Sequence, residues 1–240
     1  MDINSWDDTW GTIDWEEDPE DEILQKIKDF YYAGVDFNME SGFGSMPLHR
    51  AAAFSTVGVI DLLIDGGADI NLTNSNGETP LHWAAECKKA ENIKYLIEHG
   101  PSNMVEFVNK QDRILGATAL YFAASCDRLE IVKALIETGA DVNIQDNRAC
   151  TALMVAAQEG YTEVVQTLIE AGADVDIKNN KGETASLLAE SRKIVELIKN
   201  ADQIRAEYLK KHPQSSLQQT LINAAEKPEK MSFVKVPKTR

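Results

Sequence analysis

Apolar residues recur along the chain at helical spacing in two alternating kinds of block. The first kind is short and rich in alanine: MPLHRAA at 46–52, TPLHWAA at 79–85, TALYFAA at 118–124, TALMVAA at 151–157 and TASLLAE at 184–190. The second kind is longer, carries larger aliphatic residues and ends in glycine: GVIDLLIDGG, ENIKYLIEHG, EIVKALIETG and EVVQTLIEAG. Each pair of blocks predicts a short helix, a turn, a second helix and a glycine free to take positive φ, followed by a polar loop.

The blocks hold a register. Pro47, Pro80, Ala119, Ala152 and Ala185 lie 33, 39, 33 and 33 residues apart. GVDFN at 34–38, GADIN at 67–71, GADVN at 139–143 and GADVD at 172–176 keep the same beat. One helix pair cannot bury its own apolar face, so such units are stable only when they stack. The period of 33 with T-P-L-H-x-A resembles the ankyrin repeat, over roughly residues 20 to 200.

The resemblance implies an all-α solenoid of stacked helix pairs with protruding hairpins. Its divisions are a half-repeat at 18–38 and repeats at about 39–71, 72–109, 110–143, 144–176 and 177–200. Asp18 as N-cap, Pro19 in the first turn and acids at 20–22 predict the helix of the half-repeat. Thr118 and Thr151 are expected to cap the helices they precede, and the Ala pairs to let helices approach closely. Trp83, Phe122, Val155 and Leu188 are expected to face the adjacent repeat. Arg50 is the exception at that position, beside the open side of the half-repeat. At the far end, Ile194, Leu197, Ile198, Ala201, Ile204 and Tyr208 predict one long closing helix, with a helical extension over 201–226 and a basic, disordered tail over 227–240.

Charge changes the picture at both ends. The net charge is −15, yet residues 1–22 hold ten Asp or Glu and no Lys or Arg, while 226–240 hold five Lys or Arg and two Glu. That acidity disfavours nucleic acid and anionic membrane as partners, and no apolar run approaches ~18 residues. Trp6, Trp10 and Trp15 sit in the acidic segment 1–17. Either Trp10 and Trp15 pack on the open side near Arg50, as is expected of Trp15, or the segment folds on a partner, and Trp6 suits both readings. Cys87, Cys126 and Cys150 are odd in number and form no CxxC pair, which suits a reducing interior. An intracellular, cytoplasmic protein is expected, with nuclear or host-cell delivery as further addresses for the basic tail.

Chemistry is sparse. His49 and His82 occupy one position, where Tyr121, Met154 and Leu187 stand in later repeats, so catalysis is not their role. The resemblance makes them structural, their rings bonding backbone in neighbouring loops. Cys87 and Cys126 match across repeats at about 8–10 Å, too far for a disulfide. No catalytic, cofactor or metal site is expected. The resemblance also makes Asn38, Asn71, Asn109 and Asn143 resemble sites of asparagine hydroxylation.

The break in period falls in PSNMVEFVNKQDRILG. Asn103 and Glu106 resemble a capping box before a helical turn at 104–108. Ile114 and Leu115 then either stand exposed at a loop tip or tuck back onto Met104 and Phe107.

Ankyrin proteins usually bind partners through loop tips and the exposed surface of the inner helices. That surface here comprises Phe43, Ser45, Ala53, Phe54, Ser75 and Asn76, then Glu78, Glu86, Cys87, Ile114 and Leu115, then Ser125, Cys126, Arg148, Gln158 and Glu159. The expected function is a non-catalytic protein-binding scaffold, adaptor or inhibitor that works as a monomer on another protein, with no small-molecule substrate. A bacterial effector and a transcription regulator using the acidic Trp segment are the alternatives.

Overall fold

The computed structural model describes residues 5–41 and 44–212. Among these residues there are thirteen α-helices and no strand. Five short inner helices stack in order: α2 (Pro47–Phe54), α4 (Pro80–Glu86), α7 (Ala119–Ser125), α9 (Ala152–Glu159) and α11 (Ala185–Leu188). The outer row is α1 (Glu20–Ala33), α3 (Val57–Asp65), α5 (Ala90–Glu98), α8 (Leu129–Glu137), α10 (Thr162–Glu170) and α12 (Arg192–Lys199). A short α6 (Met104–Val108) occupies the insertion, and α13 (Ala201–Lys211) packs on α10.

Close stacking follows from the alanines. Ala51, Ala52, Ala84, Ala85, Ala123, Ala124, Ala156 and Ala157 are all fully buried, so inner helices meet with little more than a methyl group between them. Ile60, Leu63, Ile93, Leu96, Val132, Leu135, Val165 and Leu168 on the outer helices fill the space behind. Side-chain hydroxyls start the inner helices as the sequence predicts: Thr118 accepts from the Tyr121 N–H at 3.3 Å and Thr151 from the Met154 N–H at 3.4 Å. Buried Asn92 adds a tie the aliphatic pattern hid. Its amide donates to Ala52 O at 3.0 Å and Ser55 O at 3.1 Å, satisfying carbonyls left open at the end of α2.

The N-terminal segment stands where the inner helix of the first unit is missing. Trp10, Ile13 and Trp15 are buried in one core with Ile27 and Phe30 of α1. The acids between and around them, Asp7, Asp8, Asp14, Glu16 and Glu17, are exposed. Trp15 packs, as expected, and so does Trp10. Trp10 lies edge-on to Phe30 and Phe37, and the Arg50 Nε donates to Ser45 Oγ at 2.6 Å.

Three local expectations fail, each for a clear reason. Asp18 does not cap α1, because Pro19 takes the N-cap position. The Asp18 carboxylate instead accepts from Lys26 Nζ at 2.8 Å, and this bond, with one from the Asp14 N–H, holds its carboxyl below the usual range. The closing helix is broken at Asn200 into α12 and α13, which lets α13 turn back onto α10. Asn103 gives α6 no backbone cap; its side-chain NH2 instead donates to the Glu106 carboxylate. The extension expected over 201–226 is described as far as Lys211, and the rest of it and the basic tail lie outside the described residues.

Among the described hairpin residues, Ala149 is strained. Gly77, Gly116 and Gly182 close their hairpins at φ 79°, 66° and 78°, and at the equivalent place Ala149 adopts φ 60°. A β-carbon is disfavoured there. Ala149→Gly should therefore stabilise the protein by about 0.5–1 kcal/mol, after the added chain entropy of glycine is deducted. A raised urea midpoint at unchanged slope is the expected result, and a lowered midpoint would show the position to be relaxed.

Candidate protein-binding surface

The surface is built from hairpin tips tied to one another. The Arg113 N–H donates to Asn76 O at 2.7 Å, Asn147 to Leu115 O at 2.7 Å and Asn180 to Arg148 O at 2.9 Å. Asn38, Asn109 and Asn143 tie the loops one layer below, each accepting from a backbone N–H of the next GAD segment, at Asp69, Asp141 and Asp174. The tips are thus held at the repeat spacing instead of swinging independently.

The histidines brace the same layer. His49 Nε2 lies 2.9 Å from Glu78 O and His82 Nε2 lies 3.3 Å from Ala117 O, so both rings donate to carbonyls of the following hairpin. Thr79 completes His82, its hydroxyl 2.8 Å from Nδ1 and its backbone N–H donating to Nδ1 at 3.1 Å. Met46 stands where Thr79 stands, and the buried Nδ1 of His49 is left without a partner. Burial pushes His49 down to about 4 and His82 below its ordinary value, so both rings are neutral donors at pH 7.

Ile114 and Leu115 do not tuck back onto Met104 and Phe107. They are 64% and 41% exposed, because the buried Asp112 carboxylate takes their backbone N–H groups at 2.7 and 2.6 Å and turns the side chains outward. Arg148 is also exposed but fixed. Its guanidinium bonds Asp146 at 3.0 Å and the Tyr121 hydroxyl at 2.5 Å.

The other expected residues divide. Ser75, Glu86, Gln158 and Glu159 are exposed, and Phe54, Asn76, Glu78, Cys87, Ser125 and Cys126 are half-buried. Ser45 and Ala53 are buried and cannot take part, the first because it holds Arg50. Phe43 lies outside the described residues. Burial and then the Glu86 carboxylate raise the Cys87 thiol, so it is not primed as a nucleophile.

Trp83, Phe122, Val155 and Leu188 were assigned to repeat contacts alone, yet all four are half-exposed. Trp83 and Phe122 touch the preceding repeat through their edges, against His49 at 6.0 Å and His82 at 5.9 Å, and leave part of each ring on the surface. The recurrence of an apolar residue at this position in four of the five inner blocks was the available signal.

A family model for ankyrin repeats matches the chain three times, over residues 20–107, 103–179 and 120–209. The chain belongs to the ankyrin-repeat family. No curated protein matches it. Ankyrin repeats generally mediate protein–protein interaction and are typically non-catalytic. Among the described residues of this ankyrin-repeat chain, no helix is long and apolar enough to cross a membrane.

Proposed function

We propose that the protein is a non-catalytic scaffold, adaptor or inhibitor that holds another protein against its hairpin tips and the exposed face of its inner helices. The observation that carries this reading is the pair Ile114 and Leu115. Two large aliphatic side chains stand exposed on a hairpin whose backbone is pinned by Asp112 and by the neighbouring hairpins. Exposed aliphatics on a rigid frame lose little entropy on contact and gain the burial of their own area, about 25 cal/mol per Å². Free thiols at Cys87, Cys126 and Cys150 fit a reducing compartment, and we place the protein inside the cell on that ground.

The test is cross-linking from this surface. A photo-reactive residue at Asn147, beside Leu115, should label a partner protein in cells, and Ile114→Asp with Leu115→Asp should abolish the labelled product while leaving the melting temperature unchanged. The same product at the same yield from the double variant would overturn the assignment.

A further inference from the structure

We propose that the partner offers this surface an extended acidic segment with an apolar anchor, lying along the third, fourth and fifth hairpins; this deepens the scaffold reading and rests on it. Charge there runs against the rest of the chain. Residues 110–117, 144–150 and 177–183 carry five Lys or Arg and three acids, in a protein of net charge −15. Two of those acids, Asp112 and Asp146, are 5% and 7% exposed. Their oxygens are occupied by backbone N–H groups of their own hairpins, and by Arg148 in the case of Asp146. Arg113, Arg148 and Lys181 remain exposed at three consecutive tips.

Geometry selects an extended ligand. The tips are hydrogen-bonded to one another, so their cations repeat at the spacing of packed helices, about 10 Å. An extended chain of the polyproline II kind advances about 3.1 Å per residue with three residues per turn, so carboxylates three residues apart share one face and would meet successive tips. Arg148 is already oriented by Asp146 and Tyr121, which lowers the ordering cost of using it. Ile114 and Leu115, next to Arg113, supply the apolar contact. The exposed aliphatics stand at the third hairpin and the exposed cations continue to the fifth, which sets the direction: anchor at the third hairpin, acids toward the fifth.

Panning a random peptide library on the full-length chain tests this. Enriched peptides should carry Leu, Ile or Phe followed by spaced Asp or Glu. A synthetic copy should bind at least about tenfold more weakly to the Arg113→Glu, Arg148→Glu, Lys181→Glu protein, and more weakly at high salt. The Arg113→Glu, Lys181→Glu pair leaves the buried Asp146 ion pair in place and should show most of the loss without a fall in melting temperature. Enriched peptides without acids, whose binding is nonetheless lost in the Leu115→Asp protein, would overturn this inference and leave the scaffold reading standing. Basic peptides, acidic peptides indifferent to both charge reversals, or no enrichment would each overturn it too. Peptides indifferent to Leu115→Asp as well would overturn the scaffold surface along with it.

Discussion

Trp10→Ala should cost about 3–5 kcal/mol of stability and release the N-terminal segment from the solenoid. The ring is fully buried. It meets Phe30 at 4.9 Å and Phe37 at 5.0 Å edge-on and Trp15 at 6.5 Å, and its N–H donates to Asp36 O at 2.9 Å. These contacts replace an absent inner helix, so the loss extends beyond one side chain to Ile13 and Trp15, which the same segment delivers to the core. Amide exchange across residues 5–17 should rise by the same free energy, while exchange in α9 and α10 stays near wild type, because each unit contacts only its neighbours. Trp10→Phe, keeping a ring without the N–H, should recover part of the loss. A variant within about 1 kcal/mol of wild type, with exchange over 5–17 unchanged, would show that the segment is not a cap.

That packing bears on function as well. Trp10 and Trp15 are core residues, so a partner that needs them must first extract the segment, and deleting residues 1–17 reads stability before it reads any activating role. The fold was legible because its period, its Ala pairs and its helix-ending glycines are each imposed by stacking, and stacking repeats. What was misread is what happens once. The Asp18–Lys26 pair, the break at Asn200, the Asn92 tie and the side-chain pairing of Asn103 with Glu106 each depend on one contact distant from the local pattern. The site was legible in the same proportion. Ile114 and Leu115 were marked by their place in the break of the period, but their exposure is decided by Asp112 and could not be read from spacing. Ser45 was read as surface because it stands in a hairpin, and Arg50 buries it.

Acidification from about pH 7 to about pH 4 should destabilise the protein, by about 3 kcal/mol through His49 alone. The folded ring titrates near 4 and the unfolded one near 6.5, so between those values the unfolded chain binds the extra proton and stability falls as pH falls. Burial is the main cause. Protonation would also place a hydrogen on the buried Nδ1 that has no partner. His82 shifts in the same direction and adds to the slope, whereas the Asp18 carboxyl, held below 3.8, acts only at lower pH. Urea unfolding at stepped pH checks this: His49→Gln should be less stable at pH 7 and lose markedly less on going to pH 4.5, and a slope equal to wild type would refute the assignment. Protonation keeps the Nε2–H bonds to the carbonyls of Glu78 and Ala117, at the feet of the second and third hairpins. But it puts charge on two buried rings and takes the Nδ1 of His82 from the Thr79 N–H, so the frame under Ile114 and Leu115 opens to solvate them. Binding of a partner at those residues should therefore weaken within the same pH window, ahead of global unfolding.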